Sequence, residues 1–283
     1  MAKFSLMRLR QRIRLSLTLN RWRLELLRRL KGGTLWTRRG GYWLPFHGDG
    51  DLQEIQYQLE GELWFNYETE RLREYLTPGG VVVDVGANLG FTALLFAKLV
   101  GPSGQIYAFE PSPPIYAKLL QVVAKNELAN VRCFNLGCGT ARKRETLLVP
   151  ASSGNATIRR SGVSLPDAHR ELNIEIDTLD HVMLPLAPKV DLIKIDTEGF
   201  EDQVLAGAAE LIARDHPVVY IELSLEYGDS SARAIAWLRA RGYAFTRDPD
   251  LTSAHNGDNF LALPAKRSEI SLENARLASP QQS

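Results

Sequence analysis

Acidic and amide side chains in this 283-residue chain collect where apolar runs stop. Asp84 stands in VVVDV with Asn88 just beyond it, Glu110 follows QIYAF, and Asn135 follows VRCF. Asp196, Thr197 and Glu198 follow LIKI, and Glu222 sits near the end of VVYIEL. Such groups accept hydrogen bonds from hydroxyls, take up protons, and favour a cationic ligand nearby. Glu110 lies twenty residues after Gly90. A carboxylate so placed can accept hydrogen bonds from both ribose hydroxyls of an adenosine, and it disfavours a 2′-phosphate. Any one of these residues alone reads as a solvated strand-end acid. Their recurrence on successive strands points to one shared site, because ligands of open α/β sheets bind beyond the carboxyl ends of the strands.

The elements that must position them begin at Val81. VVVDV is a β-branched run suited to a strand buried on both faces. Gly86 to Gly90 break it before an apolar helical pattern starts at Phe91, so backbone amides and a helix N-terminus converge beyond the strand. A tight turn without a ligand would show the same glycines, since G-x-x-x-G is weaker than the full dinucleotide fingerprint. Alternation then continues. Strands are expected at 81–85, 105–110, 131–135, 174–179, 190–195, 218–223, 243–246 and 260–263, with a further one at 146–149. Helices are expected at 91–100, 113–126, 201–214 and 230–241, the second opening on Pro113. Strands alternating with helices predict an α/β fold, a mostly parallel sheet with helices on both faces. Residues 150–173 are rich in Ser, Gly, Asn and Arg and read as an excursion from the sheet, a candidate acceptor loop or lid.

DVGANLG, AFEP (Ala108 to Pro111) and IKIDTEGFE (Ile193 to Glu201), in that order, resemble the FkbM family of S-adenosylmethionine-dependent methyltransferases. The similarity covers roughly Gly61 to Pro264. It implies a Rossmann-like seven-stranded methyltransferase sheet with one antiparallel strand, S-adenosyl-L-methionine as cofactor, and methyl transfer to oxygen, commonly a hydroxyl of a sugar, glycoconjugate or natural product. Carried over by position, Asp84, Gly86, Asn88 and Gly90 would line the methionine and ribose parts of the cofactor. Glu110 would hold the ribose, the turn from Asn135 to Cys138 would lie near the adenine, and Asp196 would sit near the reacting methyl group.

The residue types suit that chemistry. A sulfonium favours an acid-rich pocket, and alignment supplies much of the rate of an in-line displacement. A weakly nucleophilic hydroxyl also gains from a base within about 3 Å. Asp196, Glu198 and Glu222 are the candidates, with His181 and His255 behind them; Asp196 and Glu198 are favoured because they end the strand beside the cofactor. Lys194 reads as a buried partner for a carboxylate. A nicotinamide oxidoreductase fits less well, because Asn88 stands where a close-approach glycine belongs and no Tyr-x-x-x-Lys follows. A nucleic-acid amino-methyltransferase would carry Asn/Asp-Pro-Pro-aromatic where this chain has Asp196-Thr197-Glu198-Gly199. No metal is expected, because Asp258-Asn259 comes too late to supply a second strand-end carboxylate beside Asp196. A scaffold that binds the cofactor without catalysis is the non-enzymatic alternative.

Charge divides the chain. Residues 1–40 hold twelve Lys or Arg against one acid, Glu25, so the remaining chain is acidic although the net charge is +1. Residues 1–33 form a basic arm in which Trp22, Leu26 and Leu30 recur at helical spacing, suited to an anionic membrane surface. Residues 34–80 read as a lead-in: a hairpin turning at Gly40-Gly41, a strand through Ile55, Tyr57 and Leu59, and a helix ending at Pro78-Gly79-Gly80. The methyltransferase core is expected over 81–265 and a polar tail over 266–283. No apolar run reaches the ~18 residues of a membrane span. Cys133 and Cys138 form no framework, and no histidine pair has metal-binding spacing. A cytoplasmic protein is expected, peripherally membrane-associated through its arm. Its partner would be a small-molecule or glycan acceptor rather than nucleic acid.

Overall fold

The computed structural model describes residues 33–47, 67–150, 157–158, 169–224, 229–247 and 258–265, together with Leu26 and Arg29. The rest of the arm, the strand expected through Ile55, Tyr57 and Leu59, most of the 150–173 excursion, His255 and the tail after 265 lie outside these residues. A hairpin of β1 (Leu35–Arg39) and β2 (Tyr42–Phe46) comes first. It turns through Gly40 and Gly41, both at positive φ, as its two-residue loop requires. Then follow β3 (Val81–Val85), α1 (Phe91–Val100), β4 (Gln105–Phe109), α2 (Pro113–Lys125), β5 (Val131–Phe134), β6 (Gly137–Cys138), β7 (Lys143–Pro150), β8 (Thr157–Ile158) and β9 (His169–Asp177). The chain continues through α3 (Leu179–Met183), β10 (Leu192–Ile195), α4 (Glu201–Ala206), α5 (Ala209–Asp215), β11 (Val218–Leu223), α6 (Asp229–Ala240), β12 (Tyr243–Phe245) and β13 (Asp258–Pro264).

Seven strands form the main sheet in the order β12-β13-β11-β10-β3-β4-β5. Strand β13 runs antiparallel to both its neighbours, and the other pairings are parallel. Strand alternation sends Val82, Ile106 and Leu192 to one face, where Leu94, Leu95 and Phe96 of α1 cover them. Val83, Val85, Ile193 and Ile195 point to the other, under Val204, Leu211 and Leu238. Both faces are therefore apolar, which is why these strands read as continuous hydrophobic runs. From β3 the order runs outward through β4 and β5, and on the other side through β10 and β11. That reversal leaves a crevice beyond the carboxyl ends of β3 and β10.

Two expectations need correction. Residues 146–149 and 174–179 do not continue the main sheet. Residues 146–149 lie in β7 and 174–177 in β9, while Thr178 caps α3 and Leu179 begins it. Strands β7 and β9 pair antiparallel from Lys143↔Ile176 to Pro150↔His169 in a separate sheet ordered β6-β9-β7-β8. Leu147, Ile174 and Ile176 turn their apolar sides onto the main core, which explains the resemblance to main-sheet strands. The helix expected at 201–214 is two helices broken at Gly207 and Ala208. A Cβ on Gly207 would lie 1.8 Å from the Gly139 carbonyl oxygen, so the chain passes hard against the end of β6 there.

Candidate active site

The turn after β3 is tied to β4. Gly86 and Ala87 both donate their amides to the Phe109 carbonyl, each at 3.0 Å. Gly86 takes φ 75°, and a Cβ there would fall 1.8 Å from the Asp196 carbonyl oxygen. The turn and the end of β10 thus meet so closely that only glycine fits. Asn88, at φ 49°, donates its amide to Glu110 Oε2 at 3.0 Å, and Ser112 donates its amide to Glu110 Oε1 at 2.8 Å. Burial pushes Glu110 up to about 7 against these two hydrogen bonds, which favour the ionised form.

Beside this cradle lies a charged cluster built on adjacent strands. Lys194, on β10, points its ammonium between Asp84 Oδ1 at 3.3 Å and Asp196 Oδ2 at 3.2 Å, and donates to the Gly86 carbonyl at 2.7 Å. Burial opposes the charge on Lys194, but Asp196 and Asp84 outweigh it and raise the ammonium above its usual value. Burial likewise opposes ionisation of Asp196; Lys194 and a hydrogen bond from Glu222 outweigh it, holding Asp196 below the carboxylate range. Glu222, one strand over, is pushed far up by burial and by the charge of Asp196. The two carboxyl groups titrate as a pair, with ionisation favoured on Asp196, whose side chain is 33% exposed, and protonation favoured on Glu222.

Gly86, Asn88, Glu110, Asp196, Glu198 and Glu222 all line one cleft, with about 1050 Å³ of space including its open mouth. Asp84, Gly90 and Asn135 are not among the residues that line it. Asp84 is fully buried, accepting from Thr92 Oγ1 at 2.6 Å. Gly90 packs against Leu119. Asn135 donates to the carbonyls of Glu110 and Pro111 at 2.9 and 3.0 Å, holding the backbone that carries the acid. His181 is outside the cleft, its ring 2.9 Å from Asp177 on the side sheet. Ser112, which sequence reasoning passed over, lines the cleft as well. It follows AFEP directly, and that position after a strand-end acid was its available signal. Leu147 and Ile158 of the side sheet, with Leu136 and Phe200, close the wall with apolar surface.

Carboxylate oxygens of Asp196, Glu198 and Glu222 lie within 4.8 Å of one another. The expectation of no metal rested on a missing second strand-end carboxylate. Glu222 supplies it, so that ground does not hold. The cationic partner within the cluster is the Lys194 ammonium.

The donor set suits an adenosine-bearing cation. Ser112 Oγ is buried without a hydrogen-bond partner among the described residues, beside a Glu110 carboxylate facing the cleft. Glu110, Asp196, Glu198 and Glu222 make the cleft acidic, and among the described residues no Lys, Arg or His lines it. The profile of the methyltransferase FkbM domain matches residues 84–245. The chain belongs to the FkbM methyltransferase family. As an FkbM methyltransferase it uses S-adenosylmethionine. Methyltransferase sdnD of Sordaria araneosa is 28% identical over 221 residues, covering 66% of this chain and 82% of that protein. The 31-O-demethyl-FK506 methyltransferase FkbM of Streptomyces tacrolimicus is 29% identical over 203 residues, covering 62% and 76%. Among solved structures, methyltransferase FkbM from Methylobacillus flagellatus KT aligns with TM-score 0.44 and 18% identity over 75% of this chain and 54% of that one. Aeropyrum pernix fibrillarin with natively bound S-adenosyl-L-methionine aligns with TM-score 0.43 and 17% identity over 70% and 73%.

Proposed function

We propose that this FkbM methyltransferase methylates a hydroxyl oxygen on a sugar, glycoconjugate or other natural product, with Asp196 as the proton acceptor. The observation that carries this reading is geometric: the carboxyl groups of Asp196, Glu198 and Glu222 gather within 4.8 Å of one another at the cleft beside the cofactor turn, with the Lys194 ammonium 3.2 Å from Asp196. Bound S-adenosylmethionine would supply an electrophilic methyl carbon on a sulfonium, to which the acceptor oxygen would bond in line as the C–S bond broke and the neutral thioether S-adenosylhomocysteine left. Gly86, Asn88, Glu110 and Ser112 would hold the cofactor, Glu110 accepting from the ribose hydroxyls. Asp196 and Glu198 face the space left for the acceptor. Asp196 takes the hydroxyl proton as the new C–O bond forms, and Lys194 stabilises its charge beforehand. Leu136, Leu147, Ile158 and Phe200 exclude water from that space and offer apolar surface to the body of the acceptor.

The name of one relative, a 31-O-demethyl-FK506 methyltransferase, agrees with an oxygen acceptor on a natural product. The test is incubation of the protein with methyl-labelled S-adenosylmethionine and a cell extract, separated into lipid, glycan, small-molecule, protein and RNA fractions. Label as an alkali-stable methyl ether in a glycan, lipid or small-molecule fraction supports the reading. Label confined to protein or RNA overturns it.

A further inference from the structure

We propose that Glu201 is a positioning residue for methyl transfer, buckling the turn at Thr197–Gly199 so that Asp196 and Glu198 face the cleft. The inference rests on Asp196 and Glu198 serving the acceptor. Glu201 opens α4, only 1% exposed, and lines no part of the cleft itself. Its Oε1 atom accepts three hydrogen bonds from the turn: Thr197 N at 3.3 Å, Thr197 Oγ1 at 3.1 Å and Gly199 N at 2.9 Å. The turn needs such a hold. Glu198 and Gly199 take φ 52° and 97° in succession, and an L-residue such as Glu198 enters that region only when its surroundings fix it there.

The clamp is itself braced. Glu201 Oε2 lies 3.2 Å from Ser230 Oγ, and the same hydroxyl lies 2.7 Å from Asp202 Oδ1. Asp202 is held by Arg233 Nε at 2.7 Å. A hydroxyl has one hydrogen to donate. With Ser230 donating to the ion-paired Asp202, its contact with Glu201 closes when Glu201 carries a proton on Oε2 and donates it to Ser230. One carboxyl then accepts from the turn and donates to α6. A glutamine has the same two faces, a carbonyl oxygen and an N–H, whereas alanine has neither.

The test compares Glu201→Gln and Glu201→Ala in the full chain by three measurements. These are hydrogen exchange of the 197–199 amides without cofactor, calorimetric affinity for S-adenosylmethionine, and labelled methyl transfer into the extract fraction that the wild type labels. Glu201→Gln is expected to match the wild type in all three. Glu201→Ala is expected to exchange the 197–199 amides faster and to lose about 100-fold in turnover, the cost of a misplaced reacting group. Its cofactor affinity should stay within about threefold of the wild type, well under one decade of binding constant. Wild-type exchange and turnover in the alanine variant overturn the proposal. So does a glutamine variant as impaired as alanine, or cofactor affinity that falls in step with turnover. Where alanine prevents folding, Thr197→Val removes one of the three donors; full turnover there is equally fatal. Full turnover in Asp196→Asn would sink the base assignment instead, and the exchange measurement would still report whether Glu201 holds the turn.

Discussion

Glu110 is a carboxylate that burial has moved into the physiological titration range, to about 7. Two hydroxyl donors from a ribose bind the ionised form better, so affinity for S-adenosylmethionine should fall by up to about tenfold per pH unit below 7. Glu110→Gln should bind more weakly above pH 7, approach the wild type as the pH falls, and lose that dependence; a pH series of calorimetric titrations checks both. The same shift has a stability sign. Folded Glu110 keeps its proton above the unfolded value of 4.5, so its contribution is fully present below 4.5 and is lost as pH rises through 7. Cofactor-free protein should lose on the order of 3 kcal/mol between those limits, and Glu110→Gln should remove the loss in urea unfolding. Ser112 Oγ offers a second check, being buried without a partner among the described residues. Ser112→Ala should weaken cofactor binding by about 1 kcal/mol while leaving the cofactor-free protein at least as stable. At the acceptor end, Asp196→Asn should lower turnover by about 10²–10⁴-fold with cofactor affinity nearly unchanged. Glu222→Gln still donates a hydrogen bond to Asp196 and should keep most activity. A glutamine variant as inactive as Asp196→Asn would mean that Glu222 gives up its proton during the reaction.

Among the elements, the main sheet was legible because its strands are apolar on both sides. VVVDV, QIYAF, LIKI and VVYIEL fall within a residue or two of the observed β3, β4, β10 and β11. Glycines and prolines at Gly86, Gly101-Pro102 and Pro113 mark where the chain turns. The side sheet was not legible. Leu147 and Ile176 look like any buried strand residue, and nothing local says that β7 pairs with β9 across the excursion rather than with the main sheet. Grouping of the site followed from strand ends, so Asp196, Glu198, Glu222 and Glu110 were visible at once. Clamping of the 197–199 turn by Glu201 was hidden, because a first-turn glutamate at a helix start has an ordinary explanation in the helix dipole. The break between α4 and α5 was hidden for a related reason: Gly207 answers to Gly139, distant in sequence. Gly207→Ala should therefore cost about 1–3 kcal/mol in urea unfolding, the usual penalty of forcing atoms into a packed interior. An unchanged midpoint would mean that the two backbones are not in contact in solution.

At the scale of the whole molecule, charge is divided unequally along the chain. Twelve basic residues lie within the first 40 positions, of which Arg38 and Arg39 end β1 at the exposed tip of the hairpin. Among the described residues no helix is long and apolar enough to cross a membrane. Our proposal for residues 1–31 is attachment to anionic lipid, each basic residue near the surface contributing about 1 kcal/mol. Surface attraction of this kind is screened over a Debye length, about 10 Å at 0.1 M salt and about 3 Å at 1 M. The full chain should therefore sediment with phosphatidylserine-containing vesicles at low salt and be released as salt rises, whereas neutral vesicles should leave it in solution. A chain starting at Gly32 should stay in solution with both, and its turnover on an acceptor presented in solution should be unchanged, because every described residue lining the cleft lies between Val85 and Glu222. Equal vesicle binding by the shortened chain would move the attachment to the folded part, where Arg38, Arg39 and the exposed Trp43 of the hairpin are the first residues to test.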